Sequence, residues 1–453
     1  MKKLNLFLSA VIGGSALLSL AEQNPQKPNV LFLSIDDLND WIGCLGGHPQ
    51  TQTPNIDRLA KRSVLFSRHY CAAPMCNPSR TAMFLGVRPD RTRIFGNSDE
   101  WQNSFPDHIT LPGYFRTNGY HVAGCGKLFH QEKNTRHSDW DEYFGDFKQQ
   151  IPLTKMQIKW RPLNGIKGFA SYYDWGPLDT EEENMSDMQV AAWAESFLQR
   201  KHEKPFFLAT GIFLPHLPWY APKKYFDELP LDSIILPPIL ENDLDDIPPR
   251  GLNLLERDEW SRKVREGNRG KEAVHAYLAC IRFTDACVGR VLDALDNSPY
   301  ADNTIIVLWS DHGMHLGEKG HYSKFTLWER SAHSPMMISP PKAAAGVRHR
   351  PVSSLDIFPT LIELAGLPPA PALDGQSLMP LLKSADAEWT RPAVTIYHGD
   401  RAARSDRWRY IRYADGKEEL YDHETDPNEW HNIADNPEYS AIKEELKKFL
   451  TLE

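Results

Sequence analysis

The clearest pattern along the chain is a set of short, almost wholly apolar runs that each end in charged or polar residues. These runs, whose β-branched and aromatic residues are typical of buried parallel strands, are residues 29–35, 205–210 and 304–309. Helical periodicity separates them, for example over residues 55–62, 187–200 and 271–297. Strands that alternate with helices predict an α/β fold in which helices sandwich a large mixed, mostly parallel sheet.

The pattern changes after about residue 382. Residues 394–397 and 408–413 predict strands, 420–421 continues the series, and 440–450 predicts a terminal helix. This order of elements is typical of a smaller antiparallel α+β subdomain that closes the chain.

The N-terminus predicts a secretory signal peptide. Lys2 and Lys3 precede an apolar stretch over 4–20, and Ser19 and Ala21 are the small residues that a signal peptidase prefers. The stretch is short for a membrane span, and no other segment predicts one. We therefore expect a periplasmic or secreted protein with three parts: a signal peptide (1–21), a large α/β domain (22–382) and a C-terminal subdomain (383–453).

Residues 229–270 are rich in Pro, Asp and Leu and lack clear periodicity. They predict a long insertion, either near the mouth of a site or as inert surface.

Composition narrows the possible partners. The 453 residues carry a formal net charge of −9, which makes general nucleic-acid binding a poor fit. If the substrate is anionic, positive charge must be concentrated locally. The six cysteines show no zinc-site spacing, and Cys280 and Cys287 lie too far apart on one predicted helix to form a disulfide.

Candidate metal ligands follow two of the predicted strands. Asp36 and Asp37 come directly after the first strand, and Asp311 and His312 follow the last. The carboxyl ends of parallel strands gather at one edge of a sheet, where such proteins place their chemistry. Adjacent carboxylates repel one another unless a cation joins them, so these residues predict a site for a hard cation such as Ca²⁺ or Mg²⁺.

The strongest local motif is Cys-Asn-Pro-Ser-Arg at 76–80. Asn77 is a good helix N-cap and Pro78 suits the first helical position, which predicts a helix over 78–85 that stops at Gly86. Cys76 would then lie just ahead of a helix N-terminus, where an anion is favoured. Arg80, one turn into the helix, can point back toward Cys76. Taken alone, the motif is more typical of a buried cysteine before a well-capped helix, since a free cysteine is commonly buried.

Residues 76–80 resemble the maturation signature of the formylglycine sulfatases, although Leu85 stands where the extended signature usually has Thr. The resemblance runs from about residue 29 to 366. The chain is most similar to the iduronate-2-sulfatase branch. That branch also has histidine after the late aspartate, here His312 after Asp311, and a similar turn at 215–218. Further resembling segments are 53–60, 126–130 and 310–324.

The resemblance implies an alkaline-phosphatase-like fold and a modified nucleophile. In the family, a formylglycine-generating enzyme oxidises the cysteine, here Cys76, to 3-oxoalanine, which hydrates to a gem-diol. An ordinary Ser or Cys has no second hydroxyl to expel the bound sulfate. The resemblance also implies one divalent cation, Ca²⁺ or alternatively Mg²⁺, held by Asp36, Asp37, Cys76, Asp311 and His312.

Further roles follow from the same resemblance. Lys127 and Lys324 would hold sulfate oxygens, and Arg80 would orient the diol near the metal. His216 is the candidate acid for the leaving alcohol, and His130 the candidate partner of the second hydroxyl. The roles of the two histidines are exchangeable at this point.

Weaker candidates complete the predicted site. Asn97 and Ser98 lie in a segment that resembles the branch's substrate loop. Trp101, Trp140 and Trp219 either stack on a sugar ring or belong to the core, which is the commoner outcome.

We therefore predict a sulfatase acting on a sulfated carbohydrate, with a 2-O-sulfated uronate of a glycosaminoglycan or algal polysaccharide as one substrate. The first alternative is a phosphodiesterase or phosphonate monoester hydrolase on the same fold. Related phosphoryl hydrolases usually hold two metals, whereas this sequence offers residues for one. The second alternative is a non-catalytic carbohydrate-binding protein. The sequence leaves the sugar, the sulfate position, exo or endo action and the oligomeric state open.

Overall fold

The computed structural model describes residues 27–145, 163–166, 173–341 and 344–451. The predicted signal peptide, 1–21, lies outside the described residues. Among the described helices, none combines the length and the apolar character needed to cross a bilayer.

An eight-stranded, mostly parallel sheet forms the centre of the molecule, which confirms the predicted α/β class. Its strands, in chain order, are β1 (Asn29–Ile35), β2 (Val64–Phe66), β4 (His121–Gly126), β5 (Glu142–Phe144), β7 (Phe206–Ile212), β9 (Thr304–Ser310), β10 (Met336–Ser339) and β11 (Gly346–Arg348). Across the sheet their order is β11-β2-β10-β9-β1-β7-β4-β5, with β10 antiparallel to both of its neighbours. The three strands predicted from apolar runs, β1, β7 and β9, lie side by side at its centre. Two small parallel sheets pair β3 (His69–Tyr70) with β12 (Val352–Ser353) and β6 (Trp175–Leu178) with β8 (Trp219–Pro222).

The register of the central strands brings their carboxyl ends level. Ile35 pairs with Ile212 of β7 and with Ser310 of β9. The next residues continue the alignment, since the Asp36 amide donates to the Ile212 carbonyl at 3.1 Å. Residues that follow these three strands therefore meet at one edge of the sheet.

Alternating residues of β1 bury into two different apolar layers. Leu31 and Leu33 pack in one layer, and Val30 and Phe32 pack in the other. Helices cover both faces, as the near-continuous apolar strands require. The helices of the described residues, which include those of the C-terminal part, are Pro54–Ala60, Cys76–Leu85, Pro89–Thr92, Trp101–Ser104, Leu111–Thr117, Ser186–Leu198, Lys223–Asp227, Pro249–Glu256, Glu259–Glu266, Gly270–Asp296, Glu329–Ala332, Ile357–Leu364, Met379–Lys383 and Ser440–Lys447.

A four-stranded antiparallel sheet lies within the range predicted for the C-terminal subdomain. Its strands are β13 (Ala393–Tyr397), β14 (Asp400–Arg404), β15 (Trp408–Arg412) and β16 (Glu418–Asp422). Strand β14 was not predicted, because its sequence DRAAR lacks apolar alternation. The subdomain contacts the segment that leads to Cys76, since Thr395 Oγ1 donates to the Cys71 carbonyl at 2.8 Å and the Ile396 amide to the Ala72 carbonyl at 2.9 Å.

The segment 229–270 is more ordered than its sequence suggested, with helices at Pro249–Glu256 and Glu259–Glu266. Its Ile247 and Leu255 pack in one cluster with Trp328 and Tyr413. None of the described residues that line the central pocket comes from this segment. The helix Pro249–Glu256 thus packs on the C-terminal subdomain, whereas the Trp260 ring of the next helix lies 5.4 Å from the ring of Tyr173, which lines the pocket. The segment therefore lies behind the pocket wall, and its place near the site mouth stays a prediction.

Candidate active site

The predicted acidic residues meet at the carboxyl edge of the central sheet. Asp36 and Asp37 follow β1, and Asp311 and His312 follow β9; all four are buried. The Asp37 amide donates to Asp311 Oδ1 at 3.0 Å. His312 Nε2 lies 3.4 Å from Asp37 Oδ1 and 3.6 Å from Asp311 Oδ2. Residues almost three hundred positions apart in the sequence thus form one polar cluster.

Cys76 opens the helix Cys76–Leu85, which starts two residues earlier than predicted. Met75, not Asn77, occupies the N-cap position with an extended backbone. The Asn77 side chain instead donates to the carbonyls of Gly96 and Asp99, which fastens a neighbouring loop. Cys76 therefore lies on the first helical turn, and its side chain is wholly buried.

Charged groups surround the Cys76 sulfur. Lys324 Nζ lies 3.0 Å and His312 Nε2 3.4 Å from Sγ, and His130 shares a hydrogen bond with it. Burial alone raises the pKa of the thiol, but Lys324, Lys127 and His312 outweigh it and hold that pKa well below its usual range. The site thus stabilises an anion at this position.

Arg80 directs its hydrogen bonds at the carboxylates. Its Nε donates to Asp311 Oδ2 and its Nη2 to Asp36 Oδ1, each at 2.9 Å. Nη1 donates to Ser34 Oγ at 3.0 Å and to the carbonyls of Lys127 and Leu128 at 2.9 and 2.8 Å. These bonds differ from the predicted approach to Cys76. The buried guanidinium fixes the two carboxylates instead, because its planar fork matches several acceptors at once.

Both predicted lysines reach the cluster. Lys127 pairs with Asp36, and Lys324 Nζ lies 2.6 and 2.8 Å from the two oxygens of Asp37. Burial lowers the pKa of Lys324, but Asp37 and Cys76 outweigh it and raise that pKa. Burial raises the pKa of Asp36, but Lys127, Arg80 and His216 together outweigh it and hold that pKa far below the usual range.

The pKa values of the last two residues of the cluster, Asp311 and His312, both rise. Burial raises the pKa of Asp311 to about 7, and Arg80 only partly opposes it. Burial lowers the pKa of His312, but Asp311, Asp37 and Cys76 together outweigh it and raise that pKa to about 9. A carboxyl group and an imidazole held this close share protons as a unit.

The two candidate proton carriers line the same pocket. His216 lies between Pro215 and Pro218, with Nε2 3.9 Å from Asp37 Oδ2 and a ring only partly exposed. His130 is buried, and burial, ahead of the neighbouring charges, lowers its pKa.

The pocket over the cluster has a volume of about 330 Å³. The predicted residues Asp37, Asn97, Lys127, His130, His216 and Lys324 line it. Sequence reasoning missed its other lining residues, which are Gln131, Tyr173, Phe213, Leu217, Met314, Ser323 and Phe325. A larger surface cavity of about 700 Å³ lies between the helices Ser186–Leu198 and Gly270–Asp296, and among its described lining residues none is a predicted site residue.

Phe325 is the most unusual of the missed residues. Its φ of 76° lies in the left-handed region, which a bulky side chain rarely adopts. It follows Lys324 directly, and the Lys324 ammonium lies 5.7 Å from its ring centroid. Backbone strain of this kind tends to persist where surrounding structure enforces it, above all at functional sites. The only sequence signal that could have identified Phe325 is its position directly after Lys324.

Of the weaker candidate residues predicted from the sequence, the structure places one at the pocket and the others away from it. Asn97 lines the pocket, and its Oδ1 also accepts the Asn77 amide at 3.1 Å. Ser98 is exposed and does not line the pocket. The three tryptophans are buried, so they belong to the core and do not offer a sugar-stacking face: Trp101, Trp140 and Trp219.

The donor atoms suit a bound cation. Two overlapping groups each offer four donor atoms within 4.8 Å of one another: Asp36, Asp37, Cys76 and His216, and Asp37, Cys76, Asp311 and His312. Carboxylates supply two of the four donors in each group. With oxygen at the Cys76 position, three of the four would be oxygens, which fits a hard divalent cation. In the structure the ammonium groups of Lys127 and Lys324 balance the same carboxylates.

Comparison with known proteins identifies the class. The family described as Sulfatase matches residues 28–367, and the family described as N-sulphoglucosamine sulphohydrolase, C-terminal, matches residues 317–453. The chain belongs to the sulfatase family and is a sulfuric ester hydrolase. The resemblance seen in its motifs is thereby confirmed.

Curated relatives extend over most of the chain. A sulfatase of Formosa agariphila is 40% identical over 95% of this chain and 87% of its own length. A choline-sulfatase of Rhizobium meliloti is 31% identical over 91% and 83%, respectively. The iduronate 2-sulfatase of Mus musculus is 31% identical over 79% and 72%.

Solved structures share the fold. The phosphonate monoester hydrolase of Silicibacter pomeroyi superposes with a TM-score of 0.78 at 21% identity, covering 93% of this chain and 94% of its own. A 2-O GAG sulfatase superposes with a TM-score of 0.74 at 24% identity, covering 94% and 91%. These likenesses confirm the alkaline-phosphatase-like architecture.

Proposed function

We propose that this sulfatase removes sulfate from a sulfated saccharide in the periplasm or outside the cell, with Cys76 converted to formylglycine as its nucleophile. The observation that carries the proposal is the position of the Cys76 sulfur between Lys324 at 3.0 Å and His312 at 3.4 Å, beneath the pocket. The oxygens of a sulfate ester bound over this residue would contact the cationic side chains, and its sulfur would face the nucleophile.

Conversion by a formylglycine-generating enzyme would supply the hydroxyl that attacks sulfur, and a second hydroxyl whose deprotonation releases sulfate. The cation, which we propose to be Ca²⁺ with Mg²⁺ as the alternative, would polarise a sulfate oxygen and favour ionisation of the nucleophile. Its protein ligands would be the oxygens and imidazole of Asp36, Asp37, Asp311 and His312, with a further oxygen from the converted Cys76.

The chain's own residues complete the proposed chemistry. Lys127 and Lys324 leave their carboxylate partners to hold sulfate oxygens. His216, at the pocket wall, donates a proton to the departing alcohol. His130, which contacts the Cys76 side chain, accepts the proton of the second hydroxyl. Arg80 holds Asp36 and Asp311 in place throughout.

The substrate proposal rests on the pocket and on the relatives. A cavity of about 330 Å³ lined by Tyr173, Phe213 and Phe325 suits a single ring whose apolar face stacks on aromatic side chains. The iduronate 2-sulfatase relative supports a saccharide, and a 2-O-sulfated uronate remains a prediction.

A second candidate substrate is choline sulfate. The same aromatic lining is chemically suited to a quaternary ammonium group, and the choline-sulfatase relative covers most of the chain. A phosphonate monoester is a third candidate substrate, suggested only by the shared fold.

The test measures hydrolysis by protein co-produced with a formylglycine-generating enzyme. The panel comprises 2-O-sulfated uronate and N- or O-sulfated hexosamine saccharides, a sulfated galactan oligosaccharide, choline sulfate and a phenyl phosphonate ester. We expect free sulfate from at least one saccharide and none from the Cys76→Ala variant. Preferential release from choline sulfate, or hydrolysis of the phosphonate alone, would overturn the saccharide proposal.

A further inference from the structure

The encoded cysteine, before any conversion, completes a compact set of four residues that can each offer a metal-ligand atom. Cys76 Sγ lies 3.4 Å from His312 Nε2 and 3.7 Å from Asp37 Oδ1. His312 Nε2 lies 3.4 Å from Asp37 Oδ1 and 3.6 Å from Asp311 Oδ2. All four residues are buried and offer donor atoms within 4.8 Å of one another.

These four separations are compatible with a tetrahedral metal site. Zn²⁺ binds sulfur, imidazole nitrogen and carboxylate oxygen at about 2.3, 2.0–2.1 and 2.0–2.2 Å, so the edges of its tetrahedron measure roughly 3.3–3.7 Å. The four separations above fall within that range. Ca²⁺ instead takes six to eight oxygen ligands, which a thiolate does not supply.

We infer that the unconverted protein holds Zn²⁺, or a chemically similar divalent transition metal, on Cys76, His312, Asp37 and Asp311. A thiolate and an imidazole are the donors that such metals favour over Ca²⁺. When Cys76 becomes an oxygen-bearing residue, the soft donor disappears. Conversion of this single side chain therefore decides which class of metal the same carboxylates hold. The inference concerns the encoded thiol and does not depend on the proposed catalytic function.

Lys324 is the natural competitor of the metal. Its ammonium lies 3.0 Å from the same sulfur and 2.6 Å from Asp37 Oδ1. Binding of a dication requires this ammonium to move away from both atoms. Lys324 lines the open pocket, so its flexible chain has space in which to move. We expect the Lys324→Met variant to bind the metal at least several-fold more tightly.

The test uses full-length protein made without a converting enzyme, with the Cys76 thiol verified by intact mass. After treatment with a chelator, Co²⁺ is titrated under anaerobic conditions as a spectroscopic stand-in for Zn²⁺. We expect one equivalent to give a near-ultraviolet thiolate-to-cobalt charge-transfer band and visible bands of tetrahedral intensity. Zn²⁺ should bleach them stoichiometrically, and a large excess of Ca²⁺ should not.

Matched variants identify the ligands. The Cys71→Ser variant, which removes a buried cysteine outside the donor set, should keep the charge-transfer band. Cys76→Ser should lose it while circular dichroism shows a folded protein, and His312→Gln should weaken Co²⁺ binding more than tenfold. A band that persists in Cys76→Ser, a protein that binds Co²⁺ without the band, or a protein that binds no Co²⁺ would overturn the inference.

Discussion

The guanidinium Nε of Arg80 donates to Asp311 Oδ2 at 2.9 Å, and both side chains are wholly buried. This bond ties the helix that starts at Cys76 to the end of strand β9. The same guanidinium also bonds Asp36, which follows β1. One cation thus fixes the relative positions of the helix that carries the proposed nucleophile and of two proposed metal ligands.

Removing this cation should leave two buried carboxylates without their partner. We expect Arg80→Met to lower the free energy of unfolding of the metal-free protein by about 3–5 kcal/mol, measured by urea denaturation. The control is Arg58→Met, which removes a half-exposed arginine paired with Asp293 and Asp296 and should cost less than about 1 kcal/mol. Equal effects of the two variants would contradict the structural role assigned to Arg80.

Metal removal should destabilise the converted enzyme. The clustered carboxylates repel one another less when a dication joins them, so Ca²⁺ should bind the folded state in preference to the unfolded one. At a hundred times its Kd, such binding should add about 2.7 kcal/mol to the free energy of unfolding. A thermal melt with and without chelator measures this difference. The near-isosteric Asp311→Asn variant should show a much smaller response. A wild-type melting temperature that ignores both chelator and added Ca²⁺ would contradict the proposed site.

The two histidines should differ in their dependence on the leaving group. If His216 protonates the leaving alcohol, His216→Ala should slow hydrolysis of a sugar sulfate roughly 10²–10⁴-fold. Hydrolysis of an aryl sulfate, whose phenolate leaves without help, should fall much less. His130→Ala should slow both substrates alike. The reverse pattern would exchange the two roles.

Phe325 offers a test that separates strain from substrate contact. Both Phe325→Ala and Phe325→Gly remove the ring from the pocket, so both should raise KM by about tenfold, equivalent to 1.4 kcal/mol. Only glycine relaxes the left-handed backbone at φ 76°, so the glycine variant should be about 1–2 kcal/mol more stable than the alanine variant. Equal stabilities in urea would show that the position is unstrained.

His69 should make the fold sensitive to acid. Its Nδ1 contacts the Ser334 carbonyl and its Nε2 the Ser354 hydroxyl, each at 3.0 Å, inside the core. Burial lowers the pKa of His69 from its ordinary value of 6.5 to about 3. The folded state therefore binds fewer protons than the unfolded state between these values, and stability falls as the pH drops through them, by up to about 1.4 kcal/mol per pH unit.

The His69→Gln variant keeps one donor and one acceptor but does not titrate. Its unfolding free energy should decline less steeply than that of the wild type between pH 6.5 and pH 4.5. Parallel pH curves for the two proteins would contradict the assignment to His69.

The apolar runs predicted the sheet because a strand buried on both faces can hardly be anything else. Strands β1, β7 and β9 were recognised in this way, and so was the edge where Asp36 and Asp311 meet. Strand β14 was missed because its DRAAR sequence buries charged side chains through ion pairs formed in three dimensions. Arg404, for example, reaches Glu329.

Residues of the candidate site could be predicted from the sequence only where they lay in a recognisable motif. Cys76 and Lys324 stood in recognisable segments, whereas Tyr173 and Phe213 carry no local signal and enter the pocket through the fold. The helix at Cys76 starts earlier than its capping residues suggested, because the Asn77 side chain donates to the carbonyls of Gly96 and Asp99 and does not cap the helix. Local propensity lost to a tertiary contact at that position.

The central claim is that Cys76 becomes the formylglycine nucleophile. The most direct measurement is mass spectrometry of the proteolytic fragment that contains Cys76, paired with sulfate release by the same preparation. We predict the mass of the aldehyde or its hydrate, and an activity that rises in proportion to the converted fraction. An unmodified thiol in fully active protein would contradict the account.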